Sequence, residues 1–217
     1  MRAVEIVRPG AAEVLQLTQL PAPVPAPGEV LIDVAFAGVN RPDILHRKGL
    51  YNPPPGASPL PGLEVSGHII GLGDQVTGWQ IGDQVCALVN GGGYAEQVAV
   101  PEGQILPVPD SLPLKQAGAI AETLFTVWSN LVMRAGLRAG ETLLIHGGSS
   151  GIGTMAIQVA RHLGAIPLVT VGTDEKAAFC CKLGAGLAIN YRSHDFAEEV
   201  KRATDGKGVD VFAHPRP

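Results

Sequence analysis

The sequence predicts an α/β protein in two regions, an antiparallel β-barrel or sandwich followed by a doubly wound parallel sheet. Up to about Val108 the chain offers short β-branched runs separated by turn residues, which is typical of antiparallel strands. From Leu114 onward, strand-like and helix-like apolar periods alternate, which predicts parallel strands joined by crossover helices. We therefore expect two domains, residues 1–113 and residues 114–217.

The first region is expected to contain four main strands. They are Glu29 to Gly38, Glu64 to Gly73, Asp83 to Val89 and Tyr94 to Val100. The proline-rich segments 21–27 and 52–56 cannot donate the hydrogen bonds of a sheet, so we expect them to be extended connections at its edge.

The second region opens with a helical apolar period from Gln116 to Leu137, which predicts a helix. Three further helices are expected at Gly151 to Leu163, Lys176 to Leu183 and Phe196 to Thr204. Four strands are expected at Thr142 to His146, Ile166 to Val171, Ala188 to Asn190 and Val209 to Phe212. This order is that of a doubly wound fold, in which a parallel sheet carries helices on both faces.

Composition limits the classes of partner. The 217 residues carry a formal net charge of -4, and before the last stretch of the chain no basic cluster is longer than Arg47-Lys48. No apolar run approaches the roughly 18 residues that a membrane helix needs. We therefore expect neither nucleic acid nor a membrane as partner, and a cytoplasmic protein. The three cysteines cannot form a disulfide framework and are expected to be reduced and buried.

A glycine-rich turn follows the strand that ends at His146 and precedes an apolar helix. Glycines allow the backbone to approach a pyrophosphate, and the helix N-terminus offers it amide hydrogens and a positive dipole end. An ordinary strand-to-helix turn is the alternative, but the position at the head of the alternating run favours dinucleotide binding. The expected contacts are Gly148, Ser149, Ser150, Gly151, Ile152 and Gly153.

The next strand ends at Gly172 and Thr173, where NAD-binding proteins usually place an acidic residue for the ribose. No carboxylate occupies this tip, and Lys176 and Tyr191 follow close enough to meet a 2′-phosphate, which favours NADPH. Two alternatives stay open. Asp174 could accept the ribose hydroxyl after a small backbone shift, and Lys176 could be a solvated helix lysine.

Four motifs resemble the quinone oxidoreductase branch of the medium-chain dehydrogenases/reductases, most closely the p53-inducible quinone oxidoreductase subfamily. They are Asn40-Arg41-Pro42-Asp43, the run Gly49 to Gly56, Gly62 to Gly67, and Gly92-Gly93-Tyr94-Ala95-Glu96. The resemblance extends from Met1 to about Asp210. It implies a GroES-like β-barrel domain, a Rossmann domain that is incomplete here, and a homodimer in the complete parent enzyme.

The resemblance also implies that zinc is not required. In the zinc-dependent alcohol dehydrogenases of the same superfamily, a cysteine stands at the position of Asn40 and a histidine at that of Leu63. Catalytic zinc needs about three protein ligands and structural zinc four, and the chain lacks this inventory. His68 lies beyond the motif and is expected to be structural.

Residue roles follow from the same resemblance. Asn40 and Tyr51 would orient a quinone or enone, and Thr126 would lie on the cofactor side. Each has a structural alternative, a turn cap for Asn40, packing on prolines for Tyr51 and a helix interior for Thr126. Glu64 could be an orienting group or a buried structural carboxylate.

The implied function is reduction of a quinone by hydride transfer from NADPH. An enoyl-thioester or alkenal reductase of the same fold is one alternative, and a non-catalytic NADPH-binding protein is another. The residue types suit a conjugated acceptor, because the charge that develops on it spreads over its π-system and hydrogen-bond donors can stabilise it.

The end of the chain departs from the resemblance. Pro215 and Pro217 fall where an apolar strand would continue, and proline removes the amide hydrogen that a central strand needs. Only four of the normally about six strands of a dinucleotide domain can be counted. We therefore expect a truncated or frame-altered product with little activity and low stability, and full activity for a version restored to family length.

Overall fold

The structure, a computed structural model, describes residues 1–213. The chain forms two compact units, which divide between Glu122 and Thr123. The domain boundary expected after residue 113 stays a prediction. The expected α/β class is confirmed.

The first unit is built on a five-stranded antiparallel sheet in the order β6-β3-β4-β5-β7. Its strands are β3 (Glu29–Ala37), β4 (Glu64–Leu72), β5 (Gln84–Leu88), β6 (Gln97–Pro101) and β7 (Ile105–Pro107). A separate antiparallel pair is formed by β1 (Arg2–Ile6) and β2 (Leu15–Gln19). The helices are α1 (Arg41–Arg47) and α2 (Leu114–Ala117), with short 3-10 turns at Ala12–Val14 and Glu102–Gln104.

The larger apolar cluster of this unit lies on one face of the five-stranded sheet, and a smaller cluster of Cys86, Val108 and Ala117 is separate from it. Strand β3 alternates, so that Val30 and Ile32 are fully buried while Asp33 is exposed. Strand β4 contributes Val65 and Ile69 to the same cluster. This apolar face anchors the strand that carries Glu64, the residue around which the candidate substrate site is organised.

The second unit is a four-stranded parallel sheet in the order β10-β9-β8-β11. Its strands are β8 (Thr142–His146), β9 (Ile166–Val171), β10 (Leu187–Asn190) and β11 (Val211–Ala213). The connecting helices are α4 (Gly151–His162), α5 (Asp174–Leu183) and α6 (Phe196–Ala203). All seven elements expected from Thr142 onward are confirmed, with bounds that differ by at most two residues.

The strand order places the candidate cofactor site. The chain winds outward from β8 through β9 to β10, and then returns to place β11 on the other side of β8. Ligands of doubly wound sheets bind beyond the carboxyl ends of the strands where the order reverses. The glycine turn that follows β8 and the tip of β9 both lie at these carboxyl ends.

The single helix expected over Gln116 to Leu137 is wrong. The segment is divided into α2, then α3 (Ala121–Val127), then a π-helix at Trp128–Arg134. The break follows Gly118, where an added Cβ would lie 3.0 Å from the hydroxyl oxygen of Ser66 on β4. The apolar period could not reveal this close approach, because it depends on a partner far away in the sequence.

Two further expectations have mixed outcomes. Cys86 and Cys180 are buried free thiols, as expected, but Cys181 is exposed, because it faces away from the sheet on α5. The prolines at positions 215 and 217 lie outside the described residues. Within residues 1–213, every helix is too short or too polar to span a lipid bilayer.

Candidate functional site

The amide of Asn40 is held by a buried carboxylate. Asn40 immediately precedes α1, and its Nδ2 donates a hydrogen bond of 2.8 Å to Oε1 of Glu64 at the start of β4. Glu64 is only 2% exposed, and its Oε2 accepts a bond of 3.0 Å from the backbone N–H of Glu122. Both carboxylate oxygens are therefore engaged, and one hydrogen of the Asn40 amide is fixed in direction.

The main chain is shaped to admit this carboxylate. A Cβ on Gly38 would overlap the side chain of Glu64, so glycine is required beside it. Burial is the main reason that the pKa of Glu64 is raised, and the hydrogen bonds from Asn40 and Glu122 act in the opposite direction. Of the two roles left open for Glu64, the geometry supports the orienting one.

A second buried carboxylate, Asp43, organises the surrounding backbone. Its oxygens accept hydrogen bonds from the backbone N–H of Asn40 (2.8 Å), the backbone N–H of Gly62 (3.0 Å) and the hydroxyl of Tyr94 (3.2 Å). Burial, followed by the negative charge of Asp43, raises the pKa of Tyr94, so this hydroxyl remains a donor. Asp43 thus ties the start of α1 to the segment before Glu64.

Negative charge accumulates around this pair. Burial raises the pKa of Glu122, and the charges of Glu64 and Asp43 raise it further. Among residues 1–213, no group of three or more histidine, cysteine, aspartate and glutamate side chains is arranged to hold a metal ion. The carboxylates instead meet hydrogen-bond donors from the protein.

Tyr51 lies on the other side of α1 from Asn40 along the chain. It is half-buried, and its ring centroid lies 6.1 Å from that of His46. Together with Leu63 and Asn90 these residues line a cavity of about 30 Å³, which is room for about one or two water molecules. The described contacts therefore place Tyr51 beside a small cavity and do not join it to Asn40.

The glycine turn after β8 has the geometry of a phosphate-binding turn. Gly147 adopts a φ of +72°, and Ser150 caps α4 by accepting the N–H of Gly153 at 3.0 Å. A Cβ on Gly148 would lie 2.6 Å from Cβ of Val169, and one on Gly153 would lie 2.7 Å from the backbone of Gly148. The glycines therefore let α4 pack against the turn, with its N-terminal amides at the carboxyl end of the sheet.

At the tip of β9, Gly172 leaves room for the residues that follow β10. A Cβ on Gly172 would lie 3.0 Å from the hydroxyl oxygen of Tyr191 and 3.6 Å from Nε of Arg192. Thr173 caps α5 by accepting the N–H of Lys176 at 3.3 Å. The structure thus brings Gly172, Thr173 and Tyr191 together, with Lys176 exposed in the first turn of α5.

Sequence reasoning missed Arg192 and Asn190 in this cluster. Asn190 is the last residue of β10, and its Nδ2 donates a bond of 2.7 Å to Oδ1 of Asp174. The signal for Arg192 was its place beside Tyr191 after the third strand of the parallel sheet. No local pattern indicated the Asn190 contact, since its partner is 16 residues away.

Thr126 lies in α3 directly before the π-helix. Its carbonyl accepts bonds from Nδ2 of Asn130 (2.8 Å) and from the hydroxyl of Ser129 (3.1 Å). One turn earlier, Cγ2 of Thr123 lies 3.4 Å from where a Cβ on Gly151 would stand. The α3 helix is thus placed beside the start of α4, while a cofactor contact by Thr126 stays a prediction.

Family models match both parts of the chain. Residues 26–110 match the alcohol dehydrogenase GroES-like domain, and residues 151–214 match the domain described as zinc-binding dehydrogenase. The human protein named quinone oxidoreductase is 35% identical over 98% of this chain. The chain spans 65% of the length of that relative.

Several solved structures, including the following three, share this fold at about 30% sequence identity. The CurK enoyl reductase superposes with a TM-score of 0.90 at 29% identity, covering 99% of this chain and 67% of that one. An NAD-dependent alcohol dehydrogenase gives 0.85 at 33%, covering 98% and 70%. The Escherichia coli quinone oxidoreductase complexed with NADPH gives 0.81 at 32%, covering 96% and 64%.

Proposed function

This chain belongs to the medium-chain dehydrogenase/reductase superfamily, and on that premise we propose that its function is the reduction of quinones by hydride transfer from NADPH without zinc. The observation that carries the proposal is the amide of Asn40, fixed by Glu64 at 2.8 Å. By resemblance, the zinc enzymes of the superfamily have a metal-binding cysteine at this position. A fixed hydrogen-bond donor in that place suits a conjugated acceptor, whose developing charge a donor can stabilise.

When bound, NADPH would supply a hydride, which carries two electrons and one proton. The quinone then takes one further proton to become a hydroquinone. Asn40 keeps one amide hydrogen after bonding Glu64, and we assign to that hydrogen the orientation of the acceptor oxygen. The hydroxyl of Tyr51 provides a second hydrogen-bond donor on the same unit. We propose these two as the residues that contact the substrate.

The cofactor is proposed to bind at the carboxyl ends of β8 and β9. Its pyrophosphate would meet the N-terminus of α4, which Ser150 caps and which the glycines of the turn approach closely. The 2′-phosphate would meet Lys176 and Tyr191 beside Gly172. The NADPH complex of the Escherichia coli relative supports this choice, and the NAD-dependent alcohol dehydrogenase shows that the fold accommodates the other cofactor.

The first prediction concerns cofactor preference. Lys176→Ala is expected to weaken the binding of NADPH about tenfold or more and to leave the binding of NADH unchanged. The reason is that a charge-assisted hydrogen bond to a phosphate contributes about 1–3 kcal/mol. Titration of both cofactors against the variant measures the change. Lys182→Ala, in the last turn of the same helix, is the matched control and should change neither affinity. Equal loss for both cofactors would reject the assignment of Lys176.

The second prediction concerns zinc. Protein purified without a metal-binding tag is expected to contain no stoichiometric zinc, because Asn40 and Leu63 stand where ligands would be needed. Elemental analysis and activity after chelation measure this. Tightly bound zinc, or activity lost to a chelator and restored by zinc, contradicts the prediction.

A second candidate function is favoured by the TM-score of 0.90 with the CurK enoyl reductase. The two activities separate on substrate, so a panel of quinones, enals and enoyl thioesters with NADPH consumption followed optically decides between them. A protein that binds NADPH and turns over no member of the panel would be the non-catalytic alternative. Dimer formation and a cytoplasmic location stay predictions.

The chain spans 65% of the length of the human relative, so the panel is applied to two forms. One is the 217-residue chain, and the other, the extended form, joins residues 1–213 of this chain to the C-terminal third of human quinone oxidoreductase. The sequence-based expectation is higher turnover in the extended form.

A further inference from the structure

We propose that Asn190 is a positioning residue that sets the preference for NADPH by occupying the carboxylate of Asp174 and ordering the turn that carries Tyr191 and Arg192. This inference rests on the proposed function, because it concerns the cofactor site named there. Asn190 ends β10, next to Val171 at the end of β9. Its side chain therefore stands between the tip of β9 and the turn after β10.

Asp174, the first residue of α5, is the acidic residue that first follows the tip of β9 and is the one we consider for NAD. A free carboxylate there would accept the ribose 2′-hydroxyl of NADH and would repel the 2′-phosphate of NADPH. In the structure Oδ1 of Asp174 accepts the amide hydrogen of Asn190 at 2.7 Å. The amide thus engages the acceptor that NADH would use and fixes the direction of the carboxylate.

The other half of the Asn190 amide orders the following turn. Its Oδ1 accepts the backbone N–H of Arg192 at 3.2 Å. The backbone carbonyl oxygen of Asn190 accepts hydrogen bonds from the backbone N–H groups of Ser193 (3.2 Å) and His194 (3.0 Å). These contacts, together with that to Asp174, define the start of the segment after β10.

The ordered turn brings a hydroxyl and a cation to the place that a side chain at position 172 would fill. The hydroxyl of Tyr191 and Nε of Arg192 lie 3.0 Å and 3.6 Å from the position of a Cβ on Gly172. A guanidinium recognises phosphate through directed donors, and a tyrosine hydroxyl can add another. One side chain, Asn190, thereby restrains the acid and supports the donors.

The test is a double-mutant cycle on cofactor affinity. Asn190→Ala in the 217-residue chain is expected to raise NADH affinity and lower NADPH affinity, so that the preference falls about tenfold, the size of one charge-assisted hydrogen bond. Asp174→Ala is expected to leave NADPH bound. In the Asp174→Ala background, Asn190→Ala should no longer raise NADH affinity, because no carboxylate remains to be released.

Adenosine 2′,5′-bisphosphate and AMP, titrated against the same four proteins, report the 2′-phosphate contribution without the nicotinamide. Gln158→Ala removes an exposed amide that donates to a helix carbonyl on α4, and it is the matched control that should leave the preference unchanged. Circular dichroism of each variant verifies that the fold is retained, and Asp174→Asn, an exposed and nearly isosteric change, offers a second route that should increase NADPH preference.

An unchanged preference in folded Asn190→Ala, or a gain in NADH affinity that persists without Asp174, overturns this inference and leaves the proposed function standing. Failure of the wild-type chain to bind NADPH, NADH and both nucleotides overturns the proposed cofactor site and this inference with it.

Discussion

Gly153→Ala is expected to weaken NADPH binding by about 10- to 100-fold and to destabilise the second unit by about 1–3 kcal/mol. An added Cβ would lie 2.7 Å from the backbone of Gly148, and backbone cannot move aside as a flexible side chain can. The helix α4 must therefore shift away from the turn, and its N-terminal amides lose their position. Calorimetric titration with NADPH and denaturant unfolding measure the two effects.

Gly103→Ala is the control for the general effect of replacing glycine. A Cβ at Gly103 meets nothing within 4 Å, and its φ lies outside the left-handed region. This variant should keep its NADPH affinity and its stability within about 0.5 kcal/mol. If Gly153→Ala binds NADPH as tightly as Gly103→Ala does, the glycine turn is not the pyrophosphate site.

Glu64→Gln is expected to slow quinone reduction and to lower the free energy of unfolding at neutral pH by about 1–3 kcal/mol. The carboxylate has two acceptor oxygens for Asn40 and the N–H of Glu122, whereas glutamine has one, so one buried donor loses its partner. A misdirected Asn40 amide should reduce kcat in the extended form more than it raises KM. Steady-state kinetics and denaturant unfolding measure both effects.

Glu96→Gln is the matched control for the loss of a carboxylate in the same unit. Glu96 accepts two hydrogen bonds from Arg2, and the pair is exposed and screened by solvent, so its loss should change the free energy of unfolding little. Its pKa and environment play no part in the proposed chemistry. Equal kinetic losses in Glu64→Gln and Glu96→Gln would show that Glu64 does not orient the site.

The effect of Glu64→Gln on stability should depend on pH, because the pKa of Glu64 is shifted in the wild-type chain. Burial raises the pKa of Glu64 above its ordinary value of 4.5, so the folded state binds the proton more tightly than the unfolded state does. The stability that this proton binding contributes is fully present below about pH 4.5 and is lost as pH rises through the folded pKa. The stability difference between wild type and Glu64→Gln should therefore be larger at pH 4 than at pH 7.

Local patterns predicted the second unit well, because strand and helix periods, glycines and caps are all encoded within a few residues. Ser150 and Gly153, for example, form the N-terminal cap of α4 and are only three residues apart. The contacts that organise the substrate site join distant positions. Asn40 and Glu64 are 24 residues apart, and Glu64 and Glu122 are 58 apart. Only the fold could show that the buried carboxylate of Glu64 accepts the amide of Asn40.

The same limit explains the broken helix at Gly118 and the roles of Asn190 and Arg192. Each depends on a neighbour brought close by sheet pairing, such as Ser66 for Gly118 and Gly172 for Arg192. Helical periodicity and motif spacing contain no information about such partners. The residues predicted from the sequence at the tip of β9, such as Gly172, Thr173 and Tyr191, could be located because each follows the end of a predicted strand.

We propose that Asn40 promotes hydride transfer from NADPH to a quinone by orienting the acceptor oxygen. The most direct test of this proposal is anaerobic NADPH oxidation by the extended form with 1,4-benzoquinone, in which NADPH consumed and hydroquinone formed are measured together. We expect one hydroquinone for each NADPH oxidised, and a large loss of rate in Asn40→Ala while NADPH still binds. An extended form that binds NADPH but reduces the quinone no faster than its Asn40→Ala variant would contradict the claim.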